Sequence, residues 1–137
     1  MRWHIAIELL ALEGATMREI DAGYAKLFLY DEKIVVVETK PGVIVEGSMV
    51  KAALDLIEKQ IAADYSVIIN RKNEYKLMRL EIYNETNHRQ RLIGIAIVTH
   101  SKAAEMLTDL EIPLSQKKIA KFSNLEDAIS WAKLFEK

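Results

Sequence analysis

The sequence predicts an α/β fold: a mixed sheet, parallel at its centre, with an N-terminal antiparallel hairpin and helices packed on it. Two observations carry this prediction. Residues 25–30 and 34–37 are neighbouring strand patterns joined by Asp31 and Glu32, which is typical of a hairpin. After them, short apolar runs alternate with segments of helical periodicity, and strands separated by helices pair in parallel through right-handed crossovers.

The hairpin strands are defined by alternation and by side-chain type. In residues 25–30, Lys26, Phe28 and Tyr30 alternate with three apolar residues, and residues 34–37 are an Ile-Val-Val-Val run with strong strand preference. Upstream, residues 1–16 alternate well enough for an extra N-terminal strand, although a helix is also compatible with them. The recognisable unit begins near Met17.

The first helix is predicted from Ser48, where the apolar spacing changes from two to three and four residues. The Ser48 hydroxyl is a candidate N-cap, and the helix is expected to end near Ala63 and Asp64. Its apolar stripe comprises Met49, Val50, Ala53, Leu54, Ile57 and Ile61.

Three strand–helix units follow. Residues 66–69 form a short apolar strand, residues 92–98 are apolar at every position, as in a strand covered on both faces, and residues 118–122 contain lysines typical of an edge strand. A helix is predicted after each of these strands, and each helix has an apolar stripe. The stripe of the first comprises Met78, Ile82 and Tyr83, and that of the second, which Ser101 caps, comprises Ala103, Ala104, Leu107 and Leu110. The stripe of the last comprises Leu125, Ala128, Ile129, Ala132 and Phe135, with Trp131 on its flank. Ser123 and Glu126 match a capping box for the last helix.

Composition excludes several classes of function. The 137 residues fit one domain spanning 1–137, and the net charge of −1 argues against a nucleic-acid binder. Because cysteine is absent, disulfides, thiolate metal sites and cysteine nucleophiles are excluded. The three histidines, His4, His88 and His100, share no ligand spacing, so we expect neither a metal nor a cofactor. No apolar run has membrane-spanning length, and we expect a cytoplasmic protein without a membrane partner.

Polar residues follow the predicted parallel strands and identify a candidate ligand site. The carboxyl ends of such strands share one sheet edge, and helix N-termini there favour an anion. The candidate binding residues are Asn70, Arg71, Thr99, His100, Ser101 and Lys102, with Lys72, Asn73 and Ser123 at the same edge. A small acidic ligand or an acidic partner segment would bind Arg71 and Lys102. The alternative is that these residues are helix caps and solvated loop charges.

His100 is the residue with the best chemistry for catalysis, because its charge can change near neutral pH. A general base needs an orienting group and a reacting hydroxyl within reach. Ser101 is its sequence neighbour but lies in no nucleophile-elbow motif. We therefore predict no catalytic residue and a protein that is not an enzyme.

Four stretches resemble a known family. Residues 19–45 resemble the opening hairpin of small bacterial STAS-like, or SpoIIAA-like, domains, and residues 65–83, 93–99 and 122–131 resemble the rest of that unit. The resemblance covers residues 17–137 and implies a STAS-like α/β sandwich with a non-enzymatic role, often protein–protein or small-ligand interaction. We expect a regulatory or protein-interaction domain whose partner could be a second copy of itself, as a homodimer. The resemblance does not extend to the family's phosphorylated serine or threonine, because the turn at residues 70–75 contains neither. The alternative is a small anionic-ligand-binding domain or weak enzyme using Arg71, His100 and Lys102.

Overall fold

The structure, a computed structural model, describes residues 18–135. The N-terminal strand predicted within residues 1–16 lies outside the described residues, as does His4. The elements in chain order are β1 (Arg18–Asp21), β2 (Ala25–Leu29), β3 (Ile34–Thr39), β4 (Ile44–Val45), α1 (Gly47–Gln60), β5 (Tyr65–Arg71), β6 (Lys76–Leu77), α2 (Arg79–Asn87), β7 (Leu92–Thr99), α3 (Lys102–Asp109), a 3₁₀-helix (Ile112–Leu114), β8 (Lys118–Phe122) and α4 (Leu125–Lys133).

The main sheet has six strands in the order β1-β2-β3-β5-β7-β8. The first three strands are antiparallel, and β3, β5, β7 and β8 run parallel. This arrangement confirms the predicted mixed sheet with its parallel centre and edge strand β8. Strand β1 was not predicted, and it extends the hairpin into three antiparallel strands. Its turn depends on Gly23, whose φ of 88° favours glycine and whose N–H donates to the Asp21 carboxylate.

The sheet separates two apolar cores because successive side chains point to opposite faces. Leu27, Val67 and Ile95 belong to the core beneath α1 and α2. Phe28 and Ile68 belong to the core beneath α4. Coverage on both faces explains the uninterrupted apolar run of β7, and it confirms the predicted alternation along β2. Strands β4 and β6 form a separate two-stranded parallel ladder.

Helix α1 begins at Gly47 with Glu46 as its N-cap residue, so the prediction of Ser48 as the cap was wrong. The Gly47 N–H donates instead to the carboxylate of Glu81, which lies on α2. A Cβ at position 47 would lie 2.9 Å from the Cβ of Glu81, so the close approach of α2 requires glycine there. The helix ends at Gln60 rather than near residues 63–64.

Helix α4, in contrast, begins one residue later than predicted. Asn124 is the N-cap, and its side chain accepts a hydrogen bond from the Asp127 N–H at 2.8 Å. The Asn124 amide also donates to the Asp127 carboxylate at 3.0 Å, so these two residues replace the expected Ser123–Glu126 pair. The predicted stripe is otherwise confirmed for Leu125, Ala128, Ile129 and Ala132, which are buried.

Helix α3 differs most from the prediction. Ser101 caps it as expected, accepting a hydrogen bond from the Ala104 N–H at 3.1 Å. Its predicted apolar stripe, however, does not pack into the core: Thr108 is its buried residue, whereas Leu107 and Leu110 are exposed. The reason is that the side of α3 nearest the sheet meets Arg71, which donates to the Thr108 hydroxyl at 3.0 Å. Met78, predicted on the apolar side of α2, is likewise exposed.

Within residues 18–135, no helix combines the length and the apolar character needed to cross a membrane.

Candidate functional site

The predicted binding residues do lie at the carboxyl edge of β5 and β7, but the sheet divides them. In the register of these strands Asn70 pairs with Val98 and Arg71 with Thr99. Because neighbouring residues point to opposite faces, Asn70 lies on the α4 side and Arg71 on the side of α1, α2 and α3. The edge therefore carries two separate polar clusters.

The cluster on the α4 side is centred on Glu38, which is fully buried. Its carboxylate accepts a hydrogen bond from Asn70 Nδ2 and is ion-paired with Lys72 Nζ, each at 2.8 Å. Asn70 Oδ1 lies 2.6 Å from His100 Nε2. Since the amide oxygen can only accept, His100 Nε2 donates in this arrangement. Asn70 thus connects His100 to a buried ion pair, and both of its polar ends are engaged.

The cluster on the opposite side is centred on the buried ion pair of Arg71 and Glu111. The guanidinium donates to both carboxylate oxygens, at 2.5 and 2.6 Å. The Tyr83 hydroxyl donates to the same carboxylate at 2.7 Å. Burial, together with the adjacent Glu111 charge, raises the pKa of Tyr83 above its ordinary range. A charge-assisted, bidentate pair of this kind satisfies most of the buried hydrogen-bonding capacity.

An apolar cavity of about 70 Å³ lies between the sheet and helices α1 and α2. Arg71, Glu111 and three tyrosines, Tyr24, Tyr75 and Tyr83, line it together with apolar side chains. Burial, with a smaller contribution from Tyr75, raises the pKa of Tyr24 to about 12. Pockets that enclose drug-sized ligands have volumes of roughly 300–1,000 Å³, so this cavity is too small for one.

A second, larger depression of about 470 Å³ opens at the surface between α3 and the segment that runs from the end of β5 through β6 to the first residue of α2. We name it the α3 groove. Arg71 lines it, Ala103 and Leu107 contribute from α3, and Tyr75 and Leu77 contribute from the other side. Its remaining lining residues are Asn73, Glu74, Lys76, Arg79, Ser101 and Ala104.

Exposed apolar side chains extend from the groove in both directions. On α3, Met106 is 62% exposed, Leu107 49% and Leu110 61%. On the other side, Met78 and Leu80 are 45% and 75% exposed. Single exposed leucines are common on proteins, but a helix that presents its whole apolar side to solvent beside a groove is typical of an interaction surface.

The lining of the groove also contains more guanidinium groups, from Arg71 and Arg79, than carboxylates, of which Glu74 is one. Arg79 is ion-paired with Glu111 at 3.9 Å, although that carboxylate already binds Arg71 at much shorter distances. The buried Nε atoms of Arg71 and Arg79 have no hydrogen-bond partner among residues 18–135. The Tyr75 hydroxyl, which also lines the groove, is a third buried polar group without a hydrogen-bond partner among these residues, and a bound molecule could satisfy such groups.

The structure brings only part of the predicted set together. Arg71 and Ser101 line the groove, and Thr99 is buried beside Arg71 in the strand register. Asn70 and His100 lie in the other cluster. Lys102 is exposed and ion-paired with Glu105 at 3.0 Å, and Ser123 is exposed. Binding of an anion by the predicted set stays a prediction.

Sequence reasoning missed Arg79, Tyr75 and Glu111. Tyr75 and Arg79 flank β6, a two-residue strand too short to leave a periodic signal. Glu111 lies 40 residues from Arg71, and nothing in the sequence links the two. One signal was available: the apolar stripe of α3 was recognised, but it was assigned to the core.

The comparisons with known proteins concern the fold. No protein-family model matches the chain, and no curated protein matches its sequence. Among solved structures, the chain is similar to an uncharacterised protein of the DUF3478 family from Shewanella loihica PV-4, described as having a SpoIIAA-like fold. The two are 11% identical and superpose with a TM-score of 0.52, over 85% of this chain and 92% of that one. Together with the strand order and the helices on both faces, this likeness shows that the chain has a SpoIIAA-like fold.

Proposed function

We propose that this chain is a non-enzymatic protein-interaction domain, and that it binds a segment of a partner protein in the α3 groove. The observation that carries the proposal is the orientation of α3. Its polar Thr108 is buried, and Met106, Leu107 and Leu110 are exposed beside the groove. Burying a large apolar side chain contributes roughly 1.5–3 kcal/mol, so a partner that covers these three would gain substantially.

The distribution of charge around α3 also supports an interface. Glu105 and Asp109 are ion-paired with Lys121, at 3.8 and 2.6 Å, on the flank of the helix. An apolar centre with charged groups at its margin is the usual anatomy of a protein–protein interface. A second copy of this chain is one candidate partner.

The non-enzymatic part of the proposal rests on how the candidate catalytic groups are used. The Ser101 hydroxyl accepts from the Ala104 N–H and so caps α3. His100 bonds to Asn70 in the cluster on the other face of the sheet. Both groups have structural partners, and they do not bond to each other. The alternative function, binding of a small anion by Arg71, His100 and Lys102, has less support because these three residues point to different places.

Peptide display provides the test. Random 12-residue peptides would be selected on the wild-type protein, and their Kd measured by fluorescence anisotropy. The test variant is Met106→Ser with Leu107→Ser; the matched control is Leu134→Ser, which removes an exposed leucine that follows α4. We expect about a tenfold or greater loss of affinity in the test variant and none in the control.

Light scattering over a dilution series, on the same variants, asks whether the partner is a second copy. Self-association that Met106→Ser with Leu107→Ser abolishes would identify the homodimer as the complex. The proposal would be refuted if the selected peptides bound the test variant and the Leu134→Ser control equally well. It would also be refuted if no peptide were selected and the protein were a monomer at every concentration.

A further inference from the structure

We infer that the partner segment bound in the α3 groove carries a carboxylate, and that this carboxylate binds Arg79 and Arg71 between the N-termini of α2 and α3. The inference rests on the proposed function and specifies the chemistry of the partner. It therefore predicts an acidic, amphipathic peptide rather than a purely apolar one.

The first argument is the charge balance of the groove. Arg71, Lys76 and Arg79 line it, Glu74 is the acidic lining residue, and Glu111 lies against Arg71. Three cationic groups thus face two carboxylates, which leaves an excess of one positive charge. Arg79 is only weakly neutralised, because its 3.9 Å ion pair is with Glu111, whose oxygens already bind Arg71 and Tyr83.

The second argument is the pair of unsatisfied donors. The Arg71 side chain is only 8% exposed, and its Nε still lacks a hydrogen-bond partner among residues 18–135. Arg79 Nε also lacks a hydrogen-bond partner there, although the Arg79 side chain is 31% exposed, and it lies 3.9 Å from the Glu111 carboxylate. Buried polar atoms are nearly always hydrogen-bonded in folded proteins, so these two donors, with the unpartnered Tyr75 hydroxyl in the same groove lining, indicate an acceptor that arrives with the partner.

The third argument is the position of two helix ends. Arg79 is the first residue of α2, and Ser101 is the N-cap of α3; both line the groove. Each helix N-terminus carries the equivalent of about half a positive charge, which favours an anionic group nearby. The helix ends add to the guanidinium groups, so a carboxylate fits this position better than a neutral polar group.

A protein segment fits better than a small free anion because the groove walls are apolar. Ala103, Leu107 and Leu77 surround the polar floor, and exposed apolar surface continues along α3 beyond the groove. A small anion would contact the floor and leave that surface in water. A segment with an acidic side chain beside apolar ones would cover both.

The test uses the peptides selected on the wild-type protein, each paired with a twin in which its acidic residues are replaced by Asn or Gln. The protein variants are Arg79→Gln and the matched control Arg18→Gln, which removes an exposed arginine from β1 on the other edge of the sheet. We expect acidic residues to be enriched in the selected peptides. Arg79→Gln should weaken the acidic peptide about tenfold, leave its amide twin unchanged, and reduce the salt dependence of affinity that Arg18→Gln retains in full.

Thermal melting confirms that each variant is folded, and the salt titration of the wild-type protein gives a readout that needs no substitution. Peptides whose amide twins bind equally well, with affinity that depends on Leu107 but not on Arg79, would overturn this inference while leaving the proposed function intact. Loss of the Leu107 dependence would instead refute the proposed function. Free acetate or inorganic phosphate that binds in an Arg79-dependent way, without any selected peptide, would overturn the inference in favour of a small anion.

Discussion

Replacing Glu111 with glutamine tests the buried ion pair that orients α3. The side chains of Arg71 and Glu111 are 8% and 1% exposed, and Glu111→Gln keeps the size of the side chain while removing its charge. The Arg71 guanidinium would then remain buried without a counter-charge, and Tyr83 would lose an ionic acceptor. Breaking a buried pair in this way costs about 3–5 kcal/mol of unfolding free energy.

Urea denaturation followed by far-ultraviolet circular dichroism measures this loss. A domain of this size has about 5–15 kcal/mol of stability in total, so Glu111→Gln should lower the urea midpoint markedly with an unchanged urea slope. In thermal unfolding, the same loss should lower the melting temperature by about 10–20 °C. The matched control is Glu105→Gln, the same replacement in an exposed ion pair, where we expect little change because solvent screens the charges.

A second variant separates loss of the charge from loss of the pair. Replacing both residues, as Arg71→Met with Glu111→Leu, removes both buried charges and should recover most of the lost stability. If Glu111→Gln instead unfolds within about 1 kcal/mol of the wild-type protein, the pair does not have the energetic role assigned to it. The reasoning about the orientation of α3 would then be wrong.

Three further predictions concern local features of the fold, each measured as unfolding free energy in urea. Asn124→Ala should cost about 1 kcal/mol because it removes the cap of α4, whereas Ser123→Ala should have little effect; the reverse order would restore Ser123 as the cap. Gly47→Ala should cost about 1–3 kcal/mol because its Cβ would lie 2.9 Å from that of Glu81, and a neutral result would show that α2 moves away easily. Since burial raises the pKa of Tyr24 to about 12, the folded state keeps that proton after the unfolded chain has lost it, so stability should fall as pH rises from about 10 to about 12. Tyr24→Phe should make this fall smaller, and an identical pH dependence would contradict the assignment.

The central strands of the sheet are apolar on both faces, and this pattern explains why the sheet could be predicted from the sequence. The run in β7 indicated a strand covered on both sides, and the lysines of residues 118–122 indicated an edge; both are confirmed. These signals are local, because apolar residues at period two or three to four reflect which side of an element is buried. Strand β1 escaped prediction because its four residues, Arg-Glu-Ile-Asp, are mostly polar and exposed.

The candidate site was predicted at the correct edge of the sheet but not with the correct partners. The predicted topology was enough to place Arg71 and Ser101 at this edge, because the carboxyl ends of parallel strands lie along the same edge of a sheet. The division of Asn70 from Arg71 follows from the alternation of one strand, which was visible in the sequence. The contributions of Arg79 and Glu111 depend on how α2 and the 3₁₀-helix region pack, and that information is spread over distant residues.

By itself, therefore, the sequence determined the order and type of most elements, the two apolar sides of the sheet and the general location of a polar edge. Each of these follows from neighbours within a few positions, where side-chain period and capping preferences act. Only the tertiary structure decided that α3 turns its leucines towards solvent, because this orientation depends on the buried pair of Arg71 and Glu111, two charges 40 residues apart. Separating the pair would leave an uncompensated buried charge, and the side of α3 nearest the sheet presents Thr108, rather than its leucines, to Arg71.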